Sequence, residues 1–308
     1  LFFKSIKDRM QSKNKAAYRG EFPAGLPNNS SIQYLLRDSM EWIREQVAVM
    51  PEPFLGYFHM LPPHTPYTPS KEFNYEFIDS WNTPAKPGHV LSYSRPQTEL
   101  NNYRRKYDQY IANVDDEFGK LVKYLEDSGT LENTWLVFTS DHGEMFERGI
   151  WGHLTSTLFE PIIHIPLMIR APGQHTRVDI NTPSSAVDIL PTLLHVTGHP
   201  PADWSEGAVL PPYNKAYNSQ RPVYVVEAKH NAKHGRLQET TVAMIRGENK
   251  VVYYLGYPQL NDRHEFYALA DDPNELRQLA MVGGYRPTGD VMVEELKARL
   301  AKQNDNYP

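Results

Sequence analysis

The sequence predicts an α/β protein with a largely parallel sheet, followed by a small antiparallel sheet with a helix. Strand-like apolar runs alternate with amphipathic helices up to about residue 200, and closely spaced β-rich runs follow. The 308 residues are 40% hydrophobic and 22% charged, which is ordinary for folded proteins. We therefore predict two domains, an α/β core over 1–220 and an antiparallel subdomain over 221–308.

The helices of the first domain are indicated by apolar spacing and by end signals. Ser30 or Ser31 is a good N-cap for a helix that Pro51 stops. A long helix over about 100–127 has apolar residues at spacings of three and four, which form one face. Residues 184–198 predict a further helix, which ends at a glycine.

Three apolar runs predict buried strands in this domain. They are FLGYFHM (54–60), TWLVFTS (134–140) and IPLMIRAPG (165–173). In the second domain the β-rich runs are PVYVVEA, TVAMIRG, KVVYYLG and EFYALA. The middle two predict a hairpin that turns at 247–249, and a helix near 291–301 is expected to pack on the resulting sheet.

Composition excludes several classes of protein and site. A net charge of −5 gives no electrostatic argument for binding nucleic acid or an anionic membrane. The longest strongly apolar run, 162–169, is far shorter than the roughly 20 residues of a membrane-spanning helix. Cysteine is absent, which excludes disulfides, thiolate metal sites and a cysteine nucleophile within this chain and leaves the compartment open. Because residue 1 is Leu and no signal-peptide pattern follows, we expect the chain to be cut from a longer protein.

Asp141 and His142 follow the predicted strand 134–140, where the carboxyl ends of parallel strands collect functional residues. A carboxylate oxygen beside an imidazole nitrogen suits a divalent cation. Gly143 would let the backbone turn sharply next to the metal. The alternative is structural: Asp141 caps the next segment and His142 is an exposed loop residue.

Three other histidines lie near these segments, and two of them are candidate site residues. His64 lies between prolines in PPHTP, where its ring can be aimed to donate a proton or to hold an anionic oxygen. His153 follows a glycine-rich turn and can return to the pocket of His142. Each also has a structural reading as a loop histidine. His59 is predicted to be a packing residue of its strand.

The larger blocks of the chain resemble the sulfatase family of the alkaline phosphatase superfamily. The resemblance runs in order over about residues 50–282. It is carried by FLGYFHMLPPHTPYTPS, by YDQYIANVDDEFGKLVKYLEDSGTLENTWLVFTSDHGE, by LFEPIIHIPLMIRAPG, by VDILPTLLHVTG and by EFYALADDPNELRQLA. It implies an alkaline-phosphatase-like α/β/α sandwich, of which residues 1–220 would be an incomplete core.

The resemblance also implies roles for individual residues. Asp141 and His142 would be ligands of one divalent metal ion, Ca²⁺ first, with Mn²⁺ or Mg²⁺ as alternatives. His64 would contact the sulfate or protonate the leaving oxygen. His153 stands where many members have a lysine that neutralises the same anionic group. Arg148 stands where related sequences often have histidine, so it would face the pocket or solvent.

The family's nucleophile is a formylglycine made from the cysteine of a Cys-x-Pro-x-Arg motif. The 308 residues contain no such motif. We therefore expect the formylglycine in a segment that precedes this chain, and we expect the chain alone to be inactive. Pro62 replaces an aspartate that is common in the loop of His64, so a contact that braces this loop in the family is in doubt here.

Three functions remain open on the sequence. The leading one is a sulfatase acting on a small-molecule or carbohydrate sulfate ester. A phosphoesterase, phosphonate hydrolase or phosphoethanolamine transferase of the same superfamily is the second, and a non-catalytic remnant or binding module is the third. A basic segment would form the rim for an anionic substrate or would be a solvated loop. It contains Lys229, His230, Lys233, His234 and Arg236.

Overall fold

A computed structural model describes residues 20–24, 34–78, 82–260, 262–280 and 286–307. The chain forms two compact units. The first comprises residues 1–85, 95–138 and 168–175, and the second comprises residues 86–94, 139–167 and 176–308. The division into domains 1–220 and 221–308 stays a prediction.

The described residues contain five α-helices and eight strands. The helices are α1 (Leu36–Val47), α2 (Gln97–Asp127), α3 (Glu160–Ile163), α4 (Ile189–Val196) and α5 (Arg286–Asn304). The strands are β1 (Leu136–Thr139), β2 (Met145–Glu147), β3 (Ile150–Gly152), β4 (Leu167–Arg170), β5 (Val223–Glu227), β6 (Thr240–Arg246), β7 (Asn249–Leu255) and β8 (Arg263–Ala268). Within the described part of the chain, no helix is long and apolar enough to cross a membrane.

The first unit is built on helices α1 and α2. Their apolar faces share one core, which contains Leu36, Met40, Ile43, Leu121, Leu125 and Leu131. The long helix predicted over 100–127 is confirmed, and Gly129 with φ 73° follows its end. Helix α1 begins at Leu36, later than predicted, because the extended residue Leu35 occupies the N-cap. The predicted caps Ser30 and Ser31 lie outside the described residues.

The strand predicted at 54–60 is wrong. The segment has no regular secondary structure, and Leu55 and Tyr57 are 86% and 84% exposed. His59, predicted as a packing residue, is exposed as well. Among the described residues no strand pairs with this segment, since β1 pairs only with β4 in this unit. An apolar run becomes a buried strand only where neighbours cover it.

The second unit contains the predicted antiparallel sheet, in the order β5-β6-β7-β8. Arg246 pairs with Asn249, so the predicted hairpin turns at Gly247 and Glu248. Successive residues of β6 and β7 alternate between two apolar clusters, as the period of a strand requires. One cluster includes Val242, Met244, Val251, Tyr253 and, from α5, Met292, Val293 and Leu296. The other includes Ala243, Val252, Tyr254, Tyr257 and Leu158.

Candidate active site

A tightly bonded loop carries Asp141 and His142 immediately after β1. The Ser140 hydroxyl donates to the His142 carbonyl at 2.6 Å. The Asp141 carboxylate accepts the His142 backbone N–H at 3.0 Å. These two bonds fix the backbone from which both candidate metal ligands project.

Gly143 is needed here for space, which differs from the sharp turn that its sequence position predicted. Its N–H donates to the Ile162 carbonyl at 2.8 Å. A Cβ at this position would lie 2.1 Å from the Pro161 carbonyl oxygen, which is far inside van der Waals contact. Only glycine lets the loop approach the segment of α3 this closely.

The glycine-rich turn after the loop is a two-stranded hairpin, β2–β3, which the sequence analysis did not predict. Glu147 pairs with Ile150, so the turn consists of Arg148 and Gly149. Both have positive φ, 56° and 77°, as a type I′ turn requires. Met145 pairs with Gly152. The next pair in this register is Glu144 and His153, at the open end of the hairpin.

The hairpin brings His153 back to His142, as the sequence analysis anticipated. Their rings stack with centroids 3.8 Å apart and 26° between the planes. The carboxylate of Glu144 is hydrogen-bonded to Nδ1 of His153. Ligand atoms of His142, Glu144 and His153 all lie within 4.8 Å of one another. The sequence pattern does not single out Glu144, because only the register of the hairpin places it beside His153.

Asp141 and His142 are spaced as two ligands of one cation would be. Oδ1 of Asp141 lies 3.8 Å from Nε2 of His142. Divalent cations bind carboxylate oxygens and imidazole nitrogens at about 2.0–2.6 Å, which places two neighbouring ligands of one ion about 3–4 Å apart. Their side chains are 62% and 31% exposed, so a cation can reach both. The donor set therefore fits a divalent metal.

His64 belongs to the first unit, whereas Asp141, His142 and His153 belong to the second. Its ring is fixed by a hydrogen bond of 2.7 Å between Nδ1 and the Thr65 carbonyl. A carbonyl oxygen only accepts, so Nδ1 donates, and in the neutral ring Nε2 carries the lone pair. The ring is half-buried, and its role toward an anionic or leaving oxygen stays a prediction.

Comparison with known proteins decides the family. The sulfatase family model matches residues 2–199. The chain belongs to the sulfatase family. It is 27% identical to arylsulfatase K of Danio rerio over 272 residues, which cover 79% of this chain and 51% of that protein. It is 33% identical to the choline-sulfatase of Rhizobium meliloti (strain 1021) over 186 residues, 58% of this chain and 34% of that protein.

The fold is likewise that of known relatives. The phosphonate monoester hydrolase of Agrobacterium radiobacter matches with a TM-score of 0.74 and 20% identity, over 98% of this chain and 69% of that chain. The chain therefore has the alkaline-phosphatase-like α/β fold with a C-terminal antiparallel sheet and helix. It spans about half the length of arylsulfatase K.

Arg148 of this sulfatase chain does not face solvent, because it is only 5% exposed. Its guanidinium donates to the carbonyls of Asn274 and Glu275 and lies 4.2 Å from the ring centroid of Phe159. Arg148 therefore ties the turn of the hairpin to the closing signature of the chain, the block EFYALADDPNELRQLA at 265–280. That signature is held in turn by Lys250, whose Nζ lies 2.7 Å from the carboxylate of Glu275. Burial raises the pKa of Glu275, although Lys250 opposes this.

The basic segment lies on the loop between β5 and β6. Lys229, Lys233 and His234 are exposed. Arg236 is used internally, since its Nε donates to the Tyr307 carbonyl at 3.1 Å. Nδ1 of His230 lies 3.2 Å from the Glu239 carboxylate. A substrate rim on this loop stays a prediction.

Proposed function

We propose that the whole protein of which this sulfatase-family chain is part hydrolyses sulfuric esters, with a divalent metal bound at Asp141 and His142. The observation that carries the proposal is the spacing of these two side chains, 3.8 Å between ligand atoms, with His153 stacked on His142. A cation there sits beside a second imidazole, an arrangement suited to an anionic ester. Ca²⁺ is the first choice, since Asp141 offers a hard oxygen, with Mn²⁺ or Mg²⁺ as alternatives.

The metal, when bound, would supply positive charge next to the developing negative charge of the ester. His142 and Asp141 would hold it. His153, in the position where many sulfatases have lysine, would stand beside the cation and the anionic group of the substrate bound to it. His64, with its Nδ1 committed to Thr65, would act through Nε2 on the leaving oxygen.

The nucleophile is the part that this chain does not supply in the family's usual form. The 308 residues contain no cysteine, so they hold no Cys-x-Pro-x-Arg motif from which the family's formylglycine is made. In our proposal the formylglycine belongs to another segment of the whole protein. The 308-residue chain by itself would then be inactive and would bind Ca²⁺ or Mn²⁺ weakly.

The substrate class we propose is a small-molecule or carbohydrate sulfate ester. The names of the two relatives, arylsulfatase K and choline-sulfatase, support sulfate esters but differ in the alcohol portion. Phosphonate or phosphate ester hydrolysis is the second candidate. The phosphonate hydrolase shares the fold at 20% identity, which supports that chemistry only as a member of the same superfamily. A non-catalytic role is the third candidate, and the intact spacing of Asp141 and His142 speaks against it.

Asp141→Ala in the whole protein tests the proposal. Removal of one metal ligand is expected to lower turnover of an aryl sulfate by at least about 100-fold, the scale of losing a group that stabilises transition-state charge. Steady-state hydrolysis of an aryl sulfate and of an aryl phosphonate ester is measured with both forms. Asp179→Ala, which removes an exposed surface acid, is the control. Unchanged aryl sulfate turnover in Asp141→Ala would refute the site, and a higher rate on the phosphonate in the unmutated protein would favour the second candidate.

A further inference from the structure

Glu144 stands opposite His153 at the open end of the hairpin β2–β3. Its side chain is 4% exposed, and its carboxylate is hydrogen-bonded to Nδ1 of His153. The strand pairs that precede this position are regular, from Glu147 and Ile150 to Met145 and Gly152. The contact between the acid and the imidazole therefore follows from the register of the hairpin.

The contact decides which nitrogen of His153 carries the proton. With Glu144 as a carboxylate, which accepts hydrogen bonds and donates none, Nδ1 of His153 is the donor. In a neutral imidazole the other nitrogen, Nε2, then has a lone pair. Because Nδ1 points at Glu144, Nε2 is directed away from that carboxylate.

His142 is held in the same tautomer by different means. Its Nδ1 lies 2.9 Å from the Gly143 carbonyl oxygen, which also only accepts. The two stacked rings are thus both bound through Nδ1, one by the backbone and one by a buried acid. The Gly143 carbonyl belongs to the backbone and cannot be removed by substitution. The carboxylate of Glu144 is a side chain, so its effect on His153 can be tested by substitution.

We propose that Glu144 is a positioning residue, which fixes the Nδ1–H tautomer of His153 and directs its Nε2 toward the group bound at Asp141 and His142. The inference rests on the proposed function for the identity of that group, a divalent cation, which the Nε2 lone pair would face; ligand atoms of His142, Glu144 and His153 lie within 4.8 Å of one another. Buried acids that orient an imidazole by its second nitrogen are the usual outer partners of histidines in such sites. Glu144 acts through His153 and does not touch the substrate.

The tautomer can be measured directly on the 308-residue chain. The ring nitrogens of His153 are observed by ¹⁵N NMR at about pH 8.5, where most histidine side chains are neutral, and assigned with His153→Gln. In the unmutated chain we expect Nδ1 of His153 to be protonated and Nε2 to be unprotonated. In Glu144→Gln the side-chain amide can accept or donate, so a mixture of tautomers is expected. A protonated Nε2 in the unmutated chain, or unchanged signals in Glu144→Gln, would overturn the proposal.

A surface pair provides the matched control for this measurement. Glu132 and His175 also form an acid–imidazole pair, 3.8 Å apart, but their side chains are 59% and 65% exposed. Glu132→Gln is expected to leave the His153 signals unchanged. A change equal to that in Glu144→Gln would mean that the effect is not local, and the proposal would fail.

Activity of the whole protein separates this inference from the proposed function. Glu144→Gln is expected to lower kcat/KM for an aryl sulfate about 10–100-fold, as loss of an outer partner usually does, with an unfolding midpoint like that of the unmutated protein. Glu132→Gln should keep full activity. If Asp141→Ala lowers activity and Glu144→Gln does not, the role of Glu144 falls while the proposed function stands. If the tautomer shifts in Glu144→Gln but Asp141→Ala retains full activity, the proposed function falls and the control of His153 by Glu144 stands.

Discussion

Asp141 and His142 keep their positions because the residue that follows them has no space for a side chain. The Gly143 backbone donates to the Ile162 carbonyl, and the neighbouring Pro161 carbonyl occupies the place of a Cβ. Any larger residue must push the loop away from this segment. The two candidate ligands would then move together with the loop that carries them.

Gly143→Ala is therefore expected to destabilise the chain by roughly 1–3 kcal/mol, the usual cost of overpacking. The matched control is Gly119→Ala on the exposed side of α2, where a Cβ meets nothing within 4 Å. That substitution should stabilise the chain by about 0.4–1 kcal/mol, because alanine loses less backbone entropy on folding. Urea unfolding monitored by circular dichroism gives both values. Equal effects of the two substitutions would show that the close approach at Gly143 does not exist.

At the scale of elements, the hairpin β2–β3 is the unit that assembles the site. Its strands are only three residues long, and an isolated hairpin of this size is at best marginally stable in water. Charged side chains anchor its far end: Lys86 lies 2.8 Å from the Glu147 carboxylate, and both are more than nine-tenths buried. Arg148 adds its bonds to the carbonyls of Asn274 and Glu275. The closing signature therefore holds the turn of the hairpin, and the hairpin in turn positions Glu144 and His153 at its open end.

Arg148→Met should test this support. Methionine keeps the apolar length of the side chain but leaves the carbonyls of Asn274 and Glu275 without their donor, and the bond to Glu275 is buried. The expected loss of stability is about 3–5 kcal/mol, as for removal of one member of a buried charged network. Arg177→Met, which breaks an exposed ion pair with Asp179, is the control and should not move the unfolding midpoint measurably. A small effect of Arg148→Met in the same urea titration would mean that the hairpin holds without the closing signature.

For the molecule as a whole, sequence predicted the elements whose signals are local. The apolar face of α2 and the alternating residues of β6 and β7 lie within single segments, and both predictions are confirmed. The strand predicted at 54–60 is wrong because burial of a strand depends on neighbouring segments. The sequence of the strand itself does not show which segments these are. The hairpin β2–β3 was not predicted because strands of three residues are too short to show an alternation of apolar and polar residues.

Some residues of the candidate site were predictable from sequence and others were not. Asp141 and His142 are adjacent in sequence, so their proximity needed no knowledge of the fold. The return of His153 was anticipated from the glycines between them, whereas Glu144 becomes visible only once the register is known. His64 was predicted as a site residue from the family resemblance and from the prolines beside it. Its participation with Asp141 stays a prediction.

The apolar segment 54–58 forms an exposed patch on the 308-residue chain. Phe54, Leu55, Tyr57 and Phe58 are 38%, 86%, 84% and 38% exposed, and they are consecutive apart from one glycine. Exposed apolar residues gathered in one patch promote association, whereas single ones are ordinary. The chain spans about half the length of arylsulfatase K, so that relative has segments outside the match that can cover such a patch.

We expect the 308-residue chain to self-associate through this segment and to bind a hydrophobic dye there. Leu55→Ser with Tyr57→Ser should lower both the weight-average mass in sedimentation velocity and the dye fluorescence, because the two most exposed apolar side chains of the segment are lost. Trp204→Ser removes a single side chain that is 77% exposed and is the control. An equal decrease in the control would assign the association to scattered surface residues. No decrease in the double variant would show that segment 54–58 is covered by the chain itself in solution.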